Sequence, residues 1–363
     1  MKERYGSVMR EEIFDRRTGR SRRWQALVLA FCVGLALTGC QNSSKGTKVE
    51  TNQSKPAATG ETTSQNDKIK VVTTIFPYYD FVRQIAGDLV DLTMIVPAGM
   101  DTHSFEPTAE DMITMGQADV LIYNGGEMES WVPKVVEAAE NPNLFADAMI
   151  NYVDTFVEEH VEGMEEEIEH DADDVHDDDR HDGENGEIDE HIWTSPDNAE
   201  EIVEQIAKDL VKADPANKAT YLKNAEKYIN QLEKLDRQFE QVTRNASNRY
   251  LVFADRFPLR YFVEEYDLDY TAAFAGCSSD TEPSAQTIAY LTNQVKKRKL
   301  PVILKIELTS SRVADSISEA TGARVETFHT CHNVTKEEFE SGVTYCSLME
   351  KNVSVLKDAL MGK

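Results

Sequence analysis

The chain has 363 residues with 65 acidic against 38 basic side chains, a formal charge of −27, and is long enough for two domains with their own cores. So acidic a surface repels phosphate, which excludes a nucleic-acid partner and favours cations. Cys32 lies in an export segment and Cys40 at its end. Cys277, Cys331 and Cys346 remain, an odd set that gives no disulfide framework and at most one intrachain bridge.

Residues 1–23 hold eight Lys/Arg against four Asp/Glu, and the apolar run from Trp24 to Gly39 follows. A basic start, a short apolar stretch and small residues make a secretory signal over residues 1–39, too short to span a membrane stably. Met9 is an alternative start. Leu37-Thr-Gly-Cys40 resembles the bacterial lipobox, which implies cleavage before Cys40 and lipid on its thiol. Loss of the signal, with its net +4, leaves about −31 on the mature chain. Residues 40–68 are polar and read as a flexible tether.

Order is predicted from residue 69. Strands at 69–76, 89–97 and 119–123 alternate with helices at 78–86 and 108–117, which predicts a parallel α/β lobe over 69–216. Inside it, residues 158–190 carry eighteen Asp/Glu with His160, His170, His176 and His181. That charge cannot be buried, so this is read as a disordered surface loop, its histidines a weak collector of metal beside the tighter site. Helical periodicity covers 197–210 and 217–242. Tyr221, Ala225, Tyr228, Ile229, Leu232, Leu235 and Phe239 form one apolar stripe on the second helix, assigned to a linker over 217–247. A second alternation follows over 248–363, with strands at 249–255, 269–274, 301–308 and 324–329 and a final helix at 336–360. The fold class is α/β: two lobes with mainly parallel sheets, joined by a long helix.

The chemistry lies in three short segments: Asp101-Thr-His103-Ser-Phe-Glu106-Pro107, His191-Ile-Trp-Thr-Ser-Pro196 and His329-Thr-Cys-His332. Each histidine follows an apolar run, at the strand ends where open α/β sheets bind ligands. Imidazoles gathered from distant loops can enclose one borderline divalent ion.

With Gly99-Met-Asp-Thr-His103-Ser-Phe-Glu-Pro107, Asp119-Val-Leu-Ile-Tyr-Asn-Gly-Gly126, Asp189-Glu-His191-Ile-Trp-Thr-Ser-Pro196, Asn224-Ala-Glu-Lys-Tyr-Ile and Tyr261-Phe-Val-Glu-Glu-Tyr-Asp-Leu268 in this order, the chain resembles the cluster A-I substrate-binding lipoproteins of zinc or manganese ABC transporters. The resemblance runs from about Ile69 to the C-terminus. It implies two lobes bridged by a rigid helix, with the metal between them. It implies ligands at His103, His191 and His329. At the remaining ligand position, where the family has His or Glu, this chain has Arg256, which cannot ligate a cation. Asp255 is the substitute if the segment carries a one-residue insertion, and Glu307 or a water is the alternative. His332 is then expected to orient a ligand through its other ring nitrogen.

Three histidines and one carboxylate suit Zn²⁺ as cargo; Mn²⁺ or Fe²⁺ is the alternative, and Mn²⁺ would favour more oxygen donors. The predicted role is capture of Zn²⁺ outside the cell by a monomer anchored to the membrane through lipid on Cys40, with delivery to an ABC permease and its ATPase. A surface adhesin or zinc-sequestering lipoprotein is the alternative among binding proteins. An exported zinc hydrolase is the alternative among enzymes, but no His-Glu-x-x-His motif and no placed general base accompany the histidines.

Overall fold

The computed structural model describes residues 68–165, 186–278 and 282–362. The signal, the tether up to residue 67, Cys40 and the loop histidines His170, His176 and His181 lie outside the described residues. The described residues fall in one compact unit, and among them no helix is long and apolar enough to cross a membrane.

Two four-stranded parallel sheets carry the fold. In the first, β1 (Lys70–Thr73), β2 (Asp91–Met94), β3 (Val120–Tyr123) and β4 (Phe145–Ala148) stand in the order β2-β1-β3-β4. In the second, β5 (Tyr250–Phe257), β6 (Asp269–Ala275), β7 (Val302–Lys305) and β8 (Arg324–Thr327) stand in the order β6-β5-β7-β8. The central strands are buried on both faces, which is why Val71-Val72 and Leu251-Val252-Phe253 are continuous apolar runs. Local chemistry shortens the first predicted strand. Pro77 sits in the first turn of helix α1 (Phe76–Ala86), a position that costs no helical hydrogen bond, and Ile75 becomes its N-cap. Helix α2 (Ala109–Gly116) opens on a capping box between Thr108 and Asp111. Helix α3 (Val132–Ala138) and strand β4 were not predicted. They are seven and four residues long, too short to show a period.

Helix α4 (Pro196–Ala213) lies along α5 (Lys218–Asn245), a 28-residue helix about 42 Å long at 1.5 Å per residue. The predicted stripe on α5 is buried from Tyr221 to Phe239, apart from half-buried Ile229. One apolar cluster runs from Val71 and Val120 through Leu232 and Phe239 to Leu251 and Phe328. At its centre the fully buried Asp80 carboxylate is satisfied by Tyr228 Oη, the Tyr345 amide, Arg83 and Gln84, which ties α1 to α5 and to the C-terminal helix.

The C-terminal sheet is flanked by α6 (Arg260–Tyr266), α7 (Ala285–Arg298) and α8 (Arg312–Thr321). The single helix predicted at 336–360 is two, α9 (Lys336–Glu340) and α10 (Tyr345–Met361). Gly342, at φ 77°, breaks the run, and Thr344 restarts it with a capping box to Ser347. Cys277, Cys331 and Cys346 are free thiols.

Candidate metal site

The loops that leave β2 and β8 face each other and are pinned together by one backbone bond and the Asn333 side chain. Gly99 N donates to Val334 O at 2.7 Å, and Asn333 Nδ2 donates to Pro97 O and Met100 O at 2.8 and 2.9 Å. Gly99 holds φ 87°, a conformation that a side chain would strain. The segment before α4 closes the third side. There the buried Trp193 donates its indole N–H to Thr330 O at 2.9 Å and receives Tyr345 Oη on its own carbonyl.

Three imidazoles converge in this space. Ligand-capable nitrogens of His103, His191 and His332 lie within 4.8 Å of one another, and His103 Nε2 is 3.2 Å from His191 Nε2. Two nitrogens bound to one tetrahedral zinc at about 2.0–2.1 Å would stand about 3.3 Å apart. The observed pair is already near that spacing. Burial first, then the neighbouring His191 and Arg256, pushes His103 down to about 3. Burial also pushes His332 well down, with His103 and His191 adding to it. Both rings are therefore neutral at physiological pH, with lone pairs available to a cation.

Each histidine is held in place by its neighbours. Asp189, buried, accepts from His191 Nδ1 at 3.0 Å and from the His191 backbone N–H at 2.9 Å, which fixes the tautomer and leaves Nε2 toward the cluster. Asp189 is placed in turn by its own backbone: its amide donates to Phe156 O, and its carbonyl accepts Tyr261 Oη at 2.6 Å. The next residue, Glu190, turns its carboxylate onto the Glu127 and Met128 amides, and Asn124 Nδ2 donates to its carbonyl. Gly126 lies so close to that carboxylate that a Cβ would collide with it. His103 sits in a turn closed by its own amide on Asp101 Oδ1 at 2.9 Å. His332 Nε2 hydrogen-bonds the Thr102 hydroxyl, and its ring lies 4.9 Å from that of Trp193.

Several expected positions differ. His329 is not in the cluster. Its Nδ1 accepts from Cys331 N at 2.9 Å and faces Glu307 at 3.5 Å, while its backbone is clasped by Asn352. Cys331 between the two histidines adopts φ 61°, which reverses the chain and sends His332 rather than His329 into the cleft. Asp255 is also elsewhere. The β5–β6 register shifts between Phe253 and Arg256, and such an irregularity re-aims the side chains beyond it. The Asp255 carboxylate accepts from Thr309 Oγ1 and Ile306 N, and burial raises its pKa. Glu307 grips the β8 loop, accepting from Thr330 N at 2.8 Å, Thr330 Oγ1 at 2.6 Å and His332 N at 3.3 Å. His160 is exposed, away from the cluster.

Sequence reasoning missed the work of Asp189 and Thr102. A carboxylate two residues before a candidate ligand was the available signal for Asp189. Nothing local marked Thr102.

The matching family model is that of ZnuA, the periplasmic component A of the zinc-uptake complex, and it covers residues 71–359. The chain belongs to the ZnuA family. It is 33% identical over 343 residues to the high-affinity zinc uptake system protein ZnuA of Bacillus subtilis, covering 94% of this chain and 99% of that one. It is 30% identical to the zinc-binding lipoprotein AdcA of Streptococcus pneumoniae over 92% of this chain but spans only 60% of AdcA. The crystal structure of the Zn(II)-bound ZnuA-like domain of that AdcA superposes with a TM-score of 0.66 at 29% identity, covering 81% of this chain and 99% of the domain. The two-lobed α/β fold is thus that of ZnuA-like proteins.

Proposed function

We propose that this ZnuA-family chain captures Zn²⁺ outside the cell through His103, His191 and His332 and hands it to an ABC permease with its ATPase. The observation that carries the reading is the convergence of three imidazoles at a spacing that fits one tetrahedral ion. Nitrogen donors favour Zn²⁺ over Mn²⁺, which prefers oxygen, and both relatives named above carry zinc in their names. The surrounding carboxylates favour binding over hydrolysis. Asp189 is spent on His191, Glu307 on the β8 loop and Asp101 on Arg256, so none is free to serve as a general base. Export and lipid anchoring at Cys40 would hold the protein at the outer face of the membrane, and His160, His170, His176 and His181 would collect metal weakly.

The test is competitive Zn²⁺ and Mn²⁺ titration of the mature chain with His332→Ala and His329→Ala. One tight zinc, lost in His332→Ala and kept in His329→Ala, is expected. Zinc lost only in His329→Ala would overturn the ligand assignment, and tight Mn²⁺ binding would overturn the cargo. Deleting residues 166–185 should leave that tight zinc intact and slow capture only at limiting metal.

A further inference from the structure

Beside the three histidines stands a cation. Arg256, with 11% of its side chain exposed, directs Nη2 to Asp101 Oδ2 at 2.7 Å across the cleft, and the other Asp101 oxygen closes the His103 turn. The β5 irregularity that turned Asp255 toward β7 gave this edge of the site to Arg256. The guanidinium cannot deprotonate, so its charge is permanent. It is close enough to disfavour protonation of both His103 and His332. Among the described residues, no His, Cys, Asp or Glu joins the three histidines as a fourth donor. The one carboxylate adjoining them from the β2 loop is bound to the arginine.

We propose that the Arg256–Asp101 pair is the selectivity and release element of this site, withholding the Asp101 carboxylate from the bound cation while opposing that cation's charge. This rests on the three histidines being the zinc ligands. Oxygen-preferring ions such as Mn²⁺ need anionic donors and meet a guanidinium. Zn²⁺ keeps three imidazoles, and its fourth position is left to water. Repulsion from Arg256 holds the affinity below what three histidines and a carboxylate would give, so the ion can leave. Asp101 neutralises most of the arginine's charge, which is why zinc still binds.

An electrostatic role and a structural tie predict different signs. If the pair merely holds the loops, breaking it from either side weakens zinc. If charge is what matters, Arg256→Gln frees Asp101 and strengthens divalent binding, whereas Asp101→Asn bares the arginine and weakens it. Competitive Zn²⁺ and Mn²⁺ titration and the rate of zinc loss to a chelator would be measured on the mature chain, with thermal melting to confirm folding. Arg256→Gln should tighten zinc about tenfold, tighten Mn²⁺ by a larger factor and slow zinc release. Asp101→Asn should weaken zinc about tenfold, and Arg256→Lys should stay within about threefold of the parent. Zinc weakened in both Arg256→Gln and Asp101→Asn, or unchanged within about twofold in both, overturns the proposal. His191→Ala run alongside separates the two readings, since tight zinc surviving in it would refute the ligand assignment instead.

Discussion

The arm that carries His103 and His191 and the arm that carries His332 reach the same point by different means. On the first, each histidine has its own carboxylate close in sequence: Asp101 two residues before His103, and Asp189 two before His191. On the second, Glu307 comes from another strand end, holds the backbone of the loop rather than a cluster ring, and places His332 through a left-handed turn at Cys331. Asp189 orients a ring of the cluster, whereas Asp101 and Glu307 hold backbone. Losing Asp189 on the first arm should therefore appear in metal affinity, whereas losses around His332 on the second, the ligand itself apart, should appear largely in stability.

The largest effect expected is for His191→Ala, which removes one of three donors and should weaken zinc on the order of a thousandfold. His329→Ala on the other arm should stay within about threefold of the parent in zinc affinity yet melt earlier, because a buried ring that accepts the Cys331 amide is gone. A zinc loss in His329→Ala comparable to that in His191→Ala would erase the contrast.

Glu129 comes next. Buried at the base of the first arm, it accepts from Asn124 N and Gly125 N, and burial pushes its carboxyl up to about 7. Below the ordinary carboxylate range it is protonated in both folded and unfolded states and changes nothing. As pH rises from about 4.5 to 7 the unfolded chain releases the proton while the folded one keeps it, so stability falls, by up to about 3 kcal/mol in all. Glu129→Gln should flatten that fall in denaturant melts between pH 5 and 8. An unchanged pH slope would show that Glu129 does not carry a raised pKa.

Asp189→Asn should weaken zinc about 10–100-fold with little loss of stability, since the amide still accepts one hydrogen bond but no longer fixes His191 as firmly. A large drop in melting temperature with unchanged affinity would place Asp189 with the second arm's kind of support. Glu307→Gln is the smallest change. It should cost about 1 kcal/mol of stability and less than tenfold in zinc, because one side-chain oxygen still accepts from the loop. A greater loss of affinity than in Asp189→Asn would mean that the second arm orients its ring as the first does.

Sequence by itself determined what depends on neighbours a few residues away. Apolar runs and 3.6-residue periodicity placed β1, β3, β5 and the stripe of α5, because burial on both faces or on one stripe leaves that mark directly. Histidines in turn-rich segments after strands announced a cation site, and strand ends in open α/β sheets are where such loops meet. Only the tertiary structure decided between His329 and His332 and between Asp255 and Arg256. The first choice turned on one positive φ at Cys331 and on Glu307, more than twenty residues away. The second turned on a shift of β5 against β6, a property of strand pairing that no local pattern records. Packing against distant partners selects among local alternatives of similar energy, and those alternatives set which side chains enter the cleft.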